Sequence, residues 1–574
     1  MEHSFLPLCI AVTGHREIHP DEVQRIGDQM RHFFKGLCDK YPHTPLMLLS
    51  ALGPGADRLA ARIAAEVEGI DLVAVLPWSE GICDDYWHRG GDREEFDSLL
   101  AQARHRVCLP PPAGIVSADL HGDAVLRETC YETVGRYLTR HCQALIAIWD
   151  GVERADSQTW QVIRWHREGI GAPFAAGADY LDEPETGPVW RFPARRGARE
   201  PALATAEVVE EPVESLLERF NGIATDFDRF NRDVGEIGTR VADGRERSKG
   251  YLFPPAEQAA LPPQVAFLLE RFAMADQLAQ WWQGISQRVL LVILGLIFLT
   301  VTLFECYAHV APGRVSLLLG YPLLFGFGVA VVWLVRRWRV YNRYLDYRAL
   351  AEAMRVHLFW KLARLPESAA DYYLRSCRGQ LDWIRAALRA WSVQSGEHDC
   401  QISCPWDQLP DADLLRQVRE RWMEDQRKFF AKNHHRDRHR AHVCHEAARW
   451  FLGISLVATL VQSARLLWAY GHHDHHIGHD GRTHAFIMLI AMGGVLAGLC
   501  HEYLEKRLFE KQARSYGWMA SLYETALRRF DPLVEKGEYA QAQSLIRELG
   551  REALAENADW VIYHREREPE MKGH

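Results

Sequence analysis

Two pairs of apolar segments interrupt the otherwise mixed pattern of this 574-residue chain. Residues 289–308 and 316–335 form the first pair, and residues 450–470 and 485–504 form a weaker second pair. Each segment has about 20 residues, which at a rise of about 1.5 Å per residue spans the hydrocarbon core of a bilayer. The pattern predicts four transmembrane helices in two hairpins. The alternative is that they are buried core helices of a large soluble protein.

Basic residues are distributed unevenly around these segments. The short outer loops hold only Arg314 and Arg482, whereas nine basic residues follow the second and fourth segments: Arg336, Arg337, Arg339, Arg343, Arg348, Lys506, Arg507, Lys511 and Arg514. Basic residues beside helix ends favour the cytoplasmic side. We therefore predict a multi-pass protein of the inner (cytoplasmic) membrane with both termini in the cytoplasm.

The first 195 residues alternate between strand and helix patterns. Short apolar runs predict six strands, at residues 8–12, 46–50, 72–76, 106–109, 144–149 and 189–192. Buried strands separated by amphipathic helices are typical of a mainly parallel sheet covered on both faces. The predicted fold class is therefore an α/β, Rossmann-like N-terminal domain followed by an all-α membrane domain with four transmembrane helices and long cytoplasmic helices.

Polar and glycine-rich sequences follow several of these strands. The first strand continues into Thr13-Gly14-His15-Arg16, the second into Ser50-Ala51-Leu52-Gly53-Pro54-Gly55-Ala56-Asp57, the third into Leu76-Pro77-Trp78-Ser79-Glu80-Gly81, and the fifth into Asp150-Gly151. Ligands of parallel sheets bind at the carboxyl ends of the strands, and glycine at a strand-to-helix turn lets amides approach an anion. Several roles stay open: Asp57 as a helix cap or a ribose contact, His15 as structural, and Arg16 in a salt bridge or on a phosphate.

These motifs resemble the SLOG superfamily, named for its relation to DNA-processing protein A and the LOG phosphoribohydrolases. GHR follows the first strand, S-x-x-G-x-G-A-D-R-L-A the second, and WDG the fifth, in the order typical of that superfamily. The resemblance implies a Rossmann-like domain that binds a nucleotide or a nucleotide-derived ligand. The ligand contacts it implies are Gly14, His15, Arg16, Ser50, Gly53, Gly55, Ala56, Asp57 and Asp150.

One departure from the LOG enzymes bears on catalysis. Their P-G-G-x-G-T-x-x-E motif carries a glutamate that takes part in cleaving the N-glycosidic bond, whereas residues 150–160 here read DGVERADSQTW. We therefore expect a binding domain with no catalytic residues and no cofactor. A membrane-tethered nucleotide N-glycosidase or phosphoribohydrolase, with Glu153 or Asp156 as the acid, is the alternative.

The remainder of the chain divides by composition and helical periodicity. Residues 196–262 are rich in Pro, Ala and Glu and predict a linker with one helix near 213–220. The predicted parts that follow are 263–375 with the first hairpin, 376–449 as a cytoplasmic helical connector, and 450–574 with the second hairpin. RALAEAMR, at residues 348–355, resembles the juxtamembrane helix of SLATT membrane effectors, which occur together with SLOG domains.

Two polar features lie in or beside the second hairpin. Arg465 could reach the outer membrane face or line a water-filled path with Gln462, and Gly494-xxx-Gly498 would allow close helix contact. The outer loop is rich in potential metal ligands: His472, His473, Asp474, His475, His476, His479, Asp480 and His484. No spacing there defines a tetrahedral site, so we expect no metal.

The charge and the resemblance together bound the function. A net charge of −9 gives no general attraction to nucleic acid, so no nucleic-acid partner is expected. The leading hypothesis is a homo-oligomeric membrane effector that senses a nucleotide-derived signal and permeabilises the membrane in anti-phage or stress defence. Besides the enzyme alternative, a ligand-gated housekeeping channel stays open.

Overall fold

The structure is a computed structural model that describes residues 5–77, 93–109, 124–170, 186–196, 212–372, 381–395, 409–471 and 481–565. Trp78, Ser79, Glu80, Gly81 and residues 472–480 of the histidine-rich loop lie outside the described residues. The chain divides into two compact units. Unit 1 comprises Met1–Leu278, Ala349–Leu414 and Tyr539–Ala558, and unit 2 comprises Ala279–Arg348, Leu415–Glu538 and Asp559–His574.

Unit 1 contains the predicted parallel sheet. Its strands are β1 (Leu8–Gly14), β2 (Leu46–Ser50), β3 (Ile70–Leu76), β4 (His105–Cys108), β5 (Ala144–Trp149) and β6 (Val189–Pro193). Their order is β4-β3-β2-β1-β5-β6, and every neighbouring pair is parallel. All six residues of β5 are buried, as expected for a strand covered on both faces. The prediction of a Rossmann-like sheet is confirmed.

In the described parts of the connections, five helices lie between these strands: α1 (Pro20–Lys40), α2 (Ala56–Glu66), α3 (Arg93–Gln102), α4 (Ala124–His141) and α5 (Gln158–Glu168). Residues at the first turn account for the start of two of them. Pro20 stands in the first turn of α1, where no amide is required, and the Ser157 side chain accepts a hydrogen bond from the Trp160 amide at the start of α5.

The segment that composition predicts as a linker is largely helical. It contains α6 (Glu214–Ile237), α7 (Ala242–Leu252) and a short turn at Pro255–Gln258. Phe220, Phe227 and Phe230 of α6 are buried, and Asn231 exchanges hydrogen bonds of 2.7 and 2.9 Å with the backbone of Leu6. Because of these contacts, the segment predicted as a linker is part of the core of unit 1. The Pro, Ala and Glu content describes only the stretches around these helices.

Later parts of the sequence also contribute to unit 1. Within the described residues they include parts of α8 (Pro263–Glu305), α10 (Val340–Leu362) and α15 (Tyr539–Arg565), and all of α11 (Asp382–Gln394). Within the unit, the Trp360 indole donates to the carbonyl of Ile546 (3.3 Å), and the Trp391 indole donates to that of Phe5 (3.4 Å). The compact units therefore differ from the consecutive divisions predicted after residue 195, because tertiary packing joins segments that are distant in sequence.

Unit 2 is helical and contains the predicted membrane segments. They belong to α8, α9 (Val315–Arg337), α12 (Asp425–Gly471) and α13 (Gly481–Arg507), and α14 (Phe509–Glu535) follows. The most apolar windows of the four membrane-length helices have mean hydropathies of 2.6, 2.1, 1.5 and 1.9, and 0, 0, 11 and 17% of their residues are buried. Apolar helices this exposed are not core helices of a soluble fold, so the protein is a membrane protein.

Polar groups pair between α12 and α13. Arg465 donates to Gln462 Oε1 (3.2 Å), and the Gln462 side chain donates to Thr483 Oγ1 (3.2 Å). A glycine adjacent to the predicted motif makes the close helix contact: a Cβ on Gly493 would lie 2.1 Å from Ser455 Oγ. Among the described residues, nothing lies within 4 Å of the corresponding positions on Gly494 and Gly498.

Candidate functional site

The order of the strands places a topological switch point between β1 and β5. Strands β2, β3 and β4 lie on one side of β1, and β5 and β6 lie on the other side. Helices therefore leave β1 and β5 towards opposite faces, which opens a crevice at their carboxyl ends. The sequence-predicted residues lie at the ends of β1, β2 and β5, so the fold brings all nine to the same edge of the sheet.

Close backbone packing defines the end of β1. A Cβ on Gly14 would lie 2.3 Å from the carbonyl oxygen of Ile148 and 2.5 Å from the Ala56 Cβ, so only glycine fits. The His15 amide donates to Ile148 (3.0 Å), and Thr159 Oγ1 donates to the carbonyl of Gly14 (2.9 Å). This turn is therefore locked between β5, α2 and α5.

His15 and Asp150 form a buried polar pair across the switch point. The backbone amide of Asp150 donates to His15 Nε2 (2.9 Å), and the Asp150 carboxylate lies 3.5 Å from the same nitrogen. An accepting Nε2 requires an uncharged ring protonated on Nδ1. Histidine thus joins the ends of β1 and β5, which favours the structural role that the sequence left open for it.

The carboxylate of Asp150 also faces Arg154. Arg154 donates to Asp150 Oδ2 (2.7 Å), and the Val152 amide donates to Oδ1 (3.0 Å). Burial by itself raises the pKa of Asp150, but the hydrogen bond from the Val152 amide and the hydrogen bond and charge of Arg154 together hold that pKa below its usual value. Asp150 is therefore ionised, and it holds the guanidinium of Arg154 at the rim of the crevice. Arg154 was not among the residues predicted from the sequence; its position four residues after Asp150 was the available signal.

The turn after β2 packs against the turn after β1. Gly55 has φ of +79°, and a Cβ there would lie 2.4 Å from the carbonyl oxygens of both His15 and Arg16. The Ala56 amide donates to His15 O (2.9 Å), and the Arg58 amide donates to Gly53 O (3.3 Å). Two amides at the start of α2 are thus already bonded to the protein. The sequence predicts that Gly55 leaves room for an anion. In the structure, glycine is required there because the backbone of His15 and Arg16 packs against it.

Side chains complete this turn. Ser50 Oγ accepts from the Leu52 amide (3.1 Å) and donates to the carbonyl of Asp57 (3.3 Å), while the Gly53 amide donates to Asp57 Oδ2 (3.3 Å). Burial raises the pKa of Asp57 to about 7, against the opposing effects of the Gly53 amide and the charges of Arg16 and Arg58. Asp57 thus has a carboxyl group that exchanges its proton near neutral pH, beside the switch point.

Arg16 is an exposed cation of the cluster. Its guanidinium lies 5.8 Å from the centroid of the Tyr131 ring and acts electrostatically on Asp57. Arg16 is one of the residues predicted from the sequence, whereas Tyr131, which lies on α4, comes near Arg16 only through the fold. An exposed guanidinium and a carboxyl group together can bind phosphate and a hydroxyl.

The raised pKa of Asp57 has a consequence for stability. A carboxyl group whose pKa is higher in the folded state favours folding below its unfolded value of 3.8, and this contribution is lost as pH rises through about 7. Relative to the wild type, Asp57→Asn is therefore expected to become progressively more stable between pH 5 and 8. Thermal unfolding of the full chain across that range measures the difference. Asp28→Asn, which removes an exposed carboxylate from α1, should track the wild type.

Comparison of the chain with protein-family models, with curated proteins and with solved structures found no match.

Proposed function

We propose that this protein is a ligand-controlled membrane effector whose Rossmann-like domain binds a nucleotide-derived signal at the switch point between β1 and β5. The observation that carries the proposal is the convergence of Gly14–Arg16, the Ser50–Asp57 turn and Asp150 at that edge, in a chain that also has four membrane-length helices. A ligand site on a membrane-anchored domain is the arrangement that a sensor requires. The resemblance to SLOG and SLATT proteins supports a role in anti-phage or stress defence.

Side chains, more than amides, would bind the anion. Because the Ala56 and Arg58 amides already bond to the protein, we assign the anion to the guanidiniums of Arg16 and Arg154 at the rim. Arginine suits this role because its planar donors match two phosphate oxygens at once. The Asp57 carboxyl is placed to accept a ribose hydroxyl.

Coupling to the membrane requires two states of a homo-oligomer that bind the ligand unequally. A ligand shifts such an equilibrium only by the ratio of its affinities for the two states. In this proposal the ligand favours the state in which the four membrane helices permeabilise the bilayer. Leakage would then stop the growth of an infected or stressed cell.

Arg16→Gln is expected to weaken binding of the signal about tenfold or more, because a hydrogen bond to a charged group is lost. The full chain in nanodiscs would be titrated by calorimetry against linear and cyclic nucleotides. Arg164→Gln, which removes an exposed guanidinium of α5 that pairs only loosely with Glu168 (3.6 Å), is the matched control. Equal weakening by both substitutions would remove Arg16 from the site.

Dye release from proteoliposomes tests the second half of the proposal. The nucleotide that binds should release dye from vesicles containing the wild type and release much less from those containing Arg16→Gln. If no nucleotide binds, the sensor assignment fails. If one binds without release of dye, the effector assignment fails.

One observation favours the enzyme alternative. A carboxyl group with a pKa of about 7 is suited to general acid–base catalysis, and Asp57 has this property at the switch point. Glu153 and Asp156, the acids suggested by sequence, are exposed. Incubating the protein with nucleoside monophosphates and assaying free base distinguishes the two functions. Steady release that Asp57→Asn abolishes would establish the enzyme.

A further inference from the structure

A cavity of about 350 Å³ lies within unit 2, lined by parts of α8, α9, α10, α12, α13, α14 and α15. Its volume is in the range of small-molecule sites, about 300–1,000 Å³. One end is apolar and the other is basic. We propose that this cavity binds the headgroup of an anionic phospholipid, whose acyl chains leave along α8. This proposal is independent of the nucleotide site.

A single stripe of α8 forms the apolar end. The lining residues are Val289, Leu290, Ile293, Leu294 and Ile297; positions 289, 293 and 297, and positions 290 and 294, are four residues apart, so all five share one face of the helix. They lie at the start of the first membrane segment, where the helix would enter hydrocarbon. An acyl chain along this stripe would remain in contact with the lipid phase while its headgroup enters the cavity.

Four cations line the basic end: Arg348, Arg436, Lys506 and Arg507. Two carboxylates also line the cavity. Asp437 is buried and accepts from Arg436 (2.8 Å), and Glu502 lies 3.8 Å from Lys506. Four positive and two negative charges leave a surplus of two positive charges among these six lining residues. The surplus is complementary to one phosphate group.

Arg348 and Arg507 approach the same uncharged histidine, which concentrates this surplus. His564 Nδ1 donates to the carbonyl of Trp560 (2.7 Å), and the Gln512 side chain donates to His564 Nε2 (2.8 Å), so the ring is neutral. Burial, and then the charges of Arg348 and Arg507, lower the pKa of His564 to about 4. The neutral ring of His564 therefore does not offset the positive charges of Arg348 and Arg507.

Hydrogen-bonding capacity at this end is incompletely used. The Nε of Arg507 is buried, and within the part of the chain that the structure describes it has no hydrogen-bond partner. An unpaired buried donor is costly unless a ligand satisfies it. A phosphodiester supplies acceptor oxygens with the geometry that a guanidinium matches, and basic pockets between membrane helices are suited to anionic headgroups.

The choice of a phospholipid over a soluble phosphate follows from the apolar end. A soluble anion would contact only the basic residues and would leave the α8 stripe without an occupant. A phospholipid matches both ends at once, because its acyl chains suit the apolar stripe and its phosphate suits the basic residues.

Native mass spectrometry of the full chain, released from detergent with added lipid, tests the proposal. Phosphatidylglycerol is expected to remain bound at least about tenfold better than phosphatidylcholine. Arg348→Gln and Arg507→Gln should each reduce retention of phosphatidylglycerol about tenfold. Arg514→Gln, an exposed arginine of α14 outside the cavity, should stay within about twofold of the wild type.

A second variant keeps the charges intact. Ile293→Trp adds volume to the apolar end and should reduce retention of phosphatidylglycerol about tenfold while the basic residues remain. If an arginine variant does not fold, the Ile293→Trp variant still tests whether the cavity binds the phospholipid. Equal retention of the two lipids, no effect of Ile293→Trp, or equal loss with Arg514→Gln would overturn the proposal. Equally tight binding of glycerol 3-phosphate would assign the cavity to a soluble anion instead.

Discussion

Gly55→Ala is expected to lower the free energy of unfolding of unit 1 by about 3 kcal/mol, of which strain at a positive φ and overpacking each supply about 1–2 kcal/mol. The new Cβ would lie 2.4 Å from the carbonyl oxygens of His15 and Arg16, and backbone atoms have little freedom to move. Thermal or urea unfolding of the full chain in detergent measures the loss.

Gly36→Ala is the matched control for this substitution. Gly36 lies in α1 with no described atom within 4 Å of the added Cβ, so alanine should stabilise the helix by about 0.5–1 kcal/mol. A stable Gly55→Ala protein would contradict the packing of the two turns. Because replacing Gly55 acts through folding, loss of ligand binding in such a variant does not identify an anion pocket. Arg16→Gln is the sharper test.

Asp371→Ala is expected to lower the free energy of unfolding by about 3–5 kcal/mol, the usual cost of removing one partner from a buried ion pair. The carboxylate is 3% exposed and lies 2.5 Å from Arg140 and 3.6 Å from Arg389. Removing it leaves two guanidiniums together without their counter-charge. Asp97→Ala, which breaks an exposed pair with Arg93, should change the same quantity by less than about 1 kcal/mol.

The same carboxylate gives a signature in acid. Burial alone raises the pKa of Asp371, but Arg140 and Arg389, with the Ser368 amide, hold it below its usual value. A lowered pKa contributes stability above the unfolded value of 3.8 that is lost as pH falls below it. Asp371→Asn should therefore flatten the loss of stability below about pH 4. An acid-unfolding profile identical to that of the wild type would contradict the ion pair.

The α6 region illustrates what composition conceals. Residues 196–262 are rich in Pro, Ala and Glu overall, which suggests a linker, yet Phe220, Phe227 and Phe230 recur at spacings that place them on one helix face. That periodicity was present in the sequence. The sequence did not show which part of the chain packs against this face. The hydrogen bonds between Asn231 and Leu6 join positions that are 225 residues apart.

Two chemical roles at the switch point depended on the fold in the same way. The motifs located Gly55 and His15 correctly at the strand ends, but they could not distinguish a glycine that admits an anion from one that admits a backbone. Only the parallel pairing of β1 with β2 and β5 brings the carbonyls of His15 and Arg16 against Gly55, and the amide of Asp150 against His15.

Local patterns in the sequence alone determined the six strands, the four membrane-length helices and the polar strand ends, because period-two and period-3.6 burial is written in consecutive residues. The tertiary structure alone decided the strand order, the assignment of α6 to the core, the use of the α2 amides by the protein itself and the amphipathic cavity of unit 2. These features depend on contacts between distant segments, whose free energy no single stretch of sequence contains.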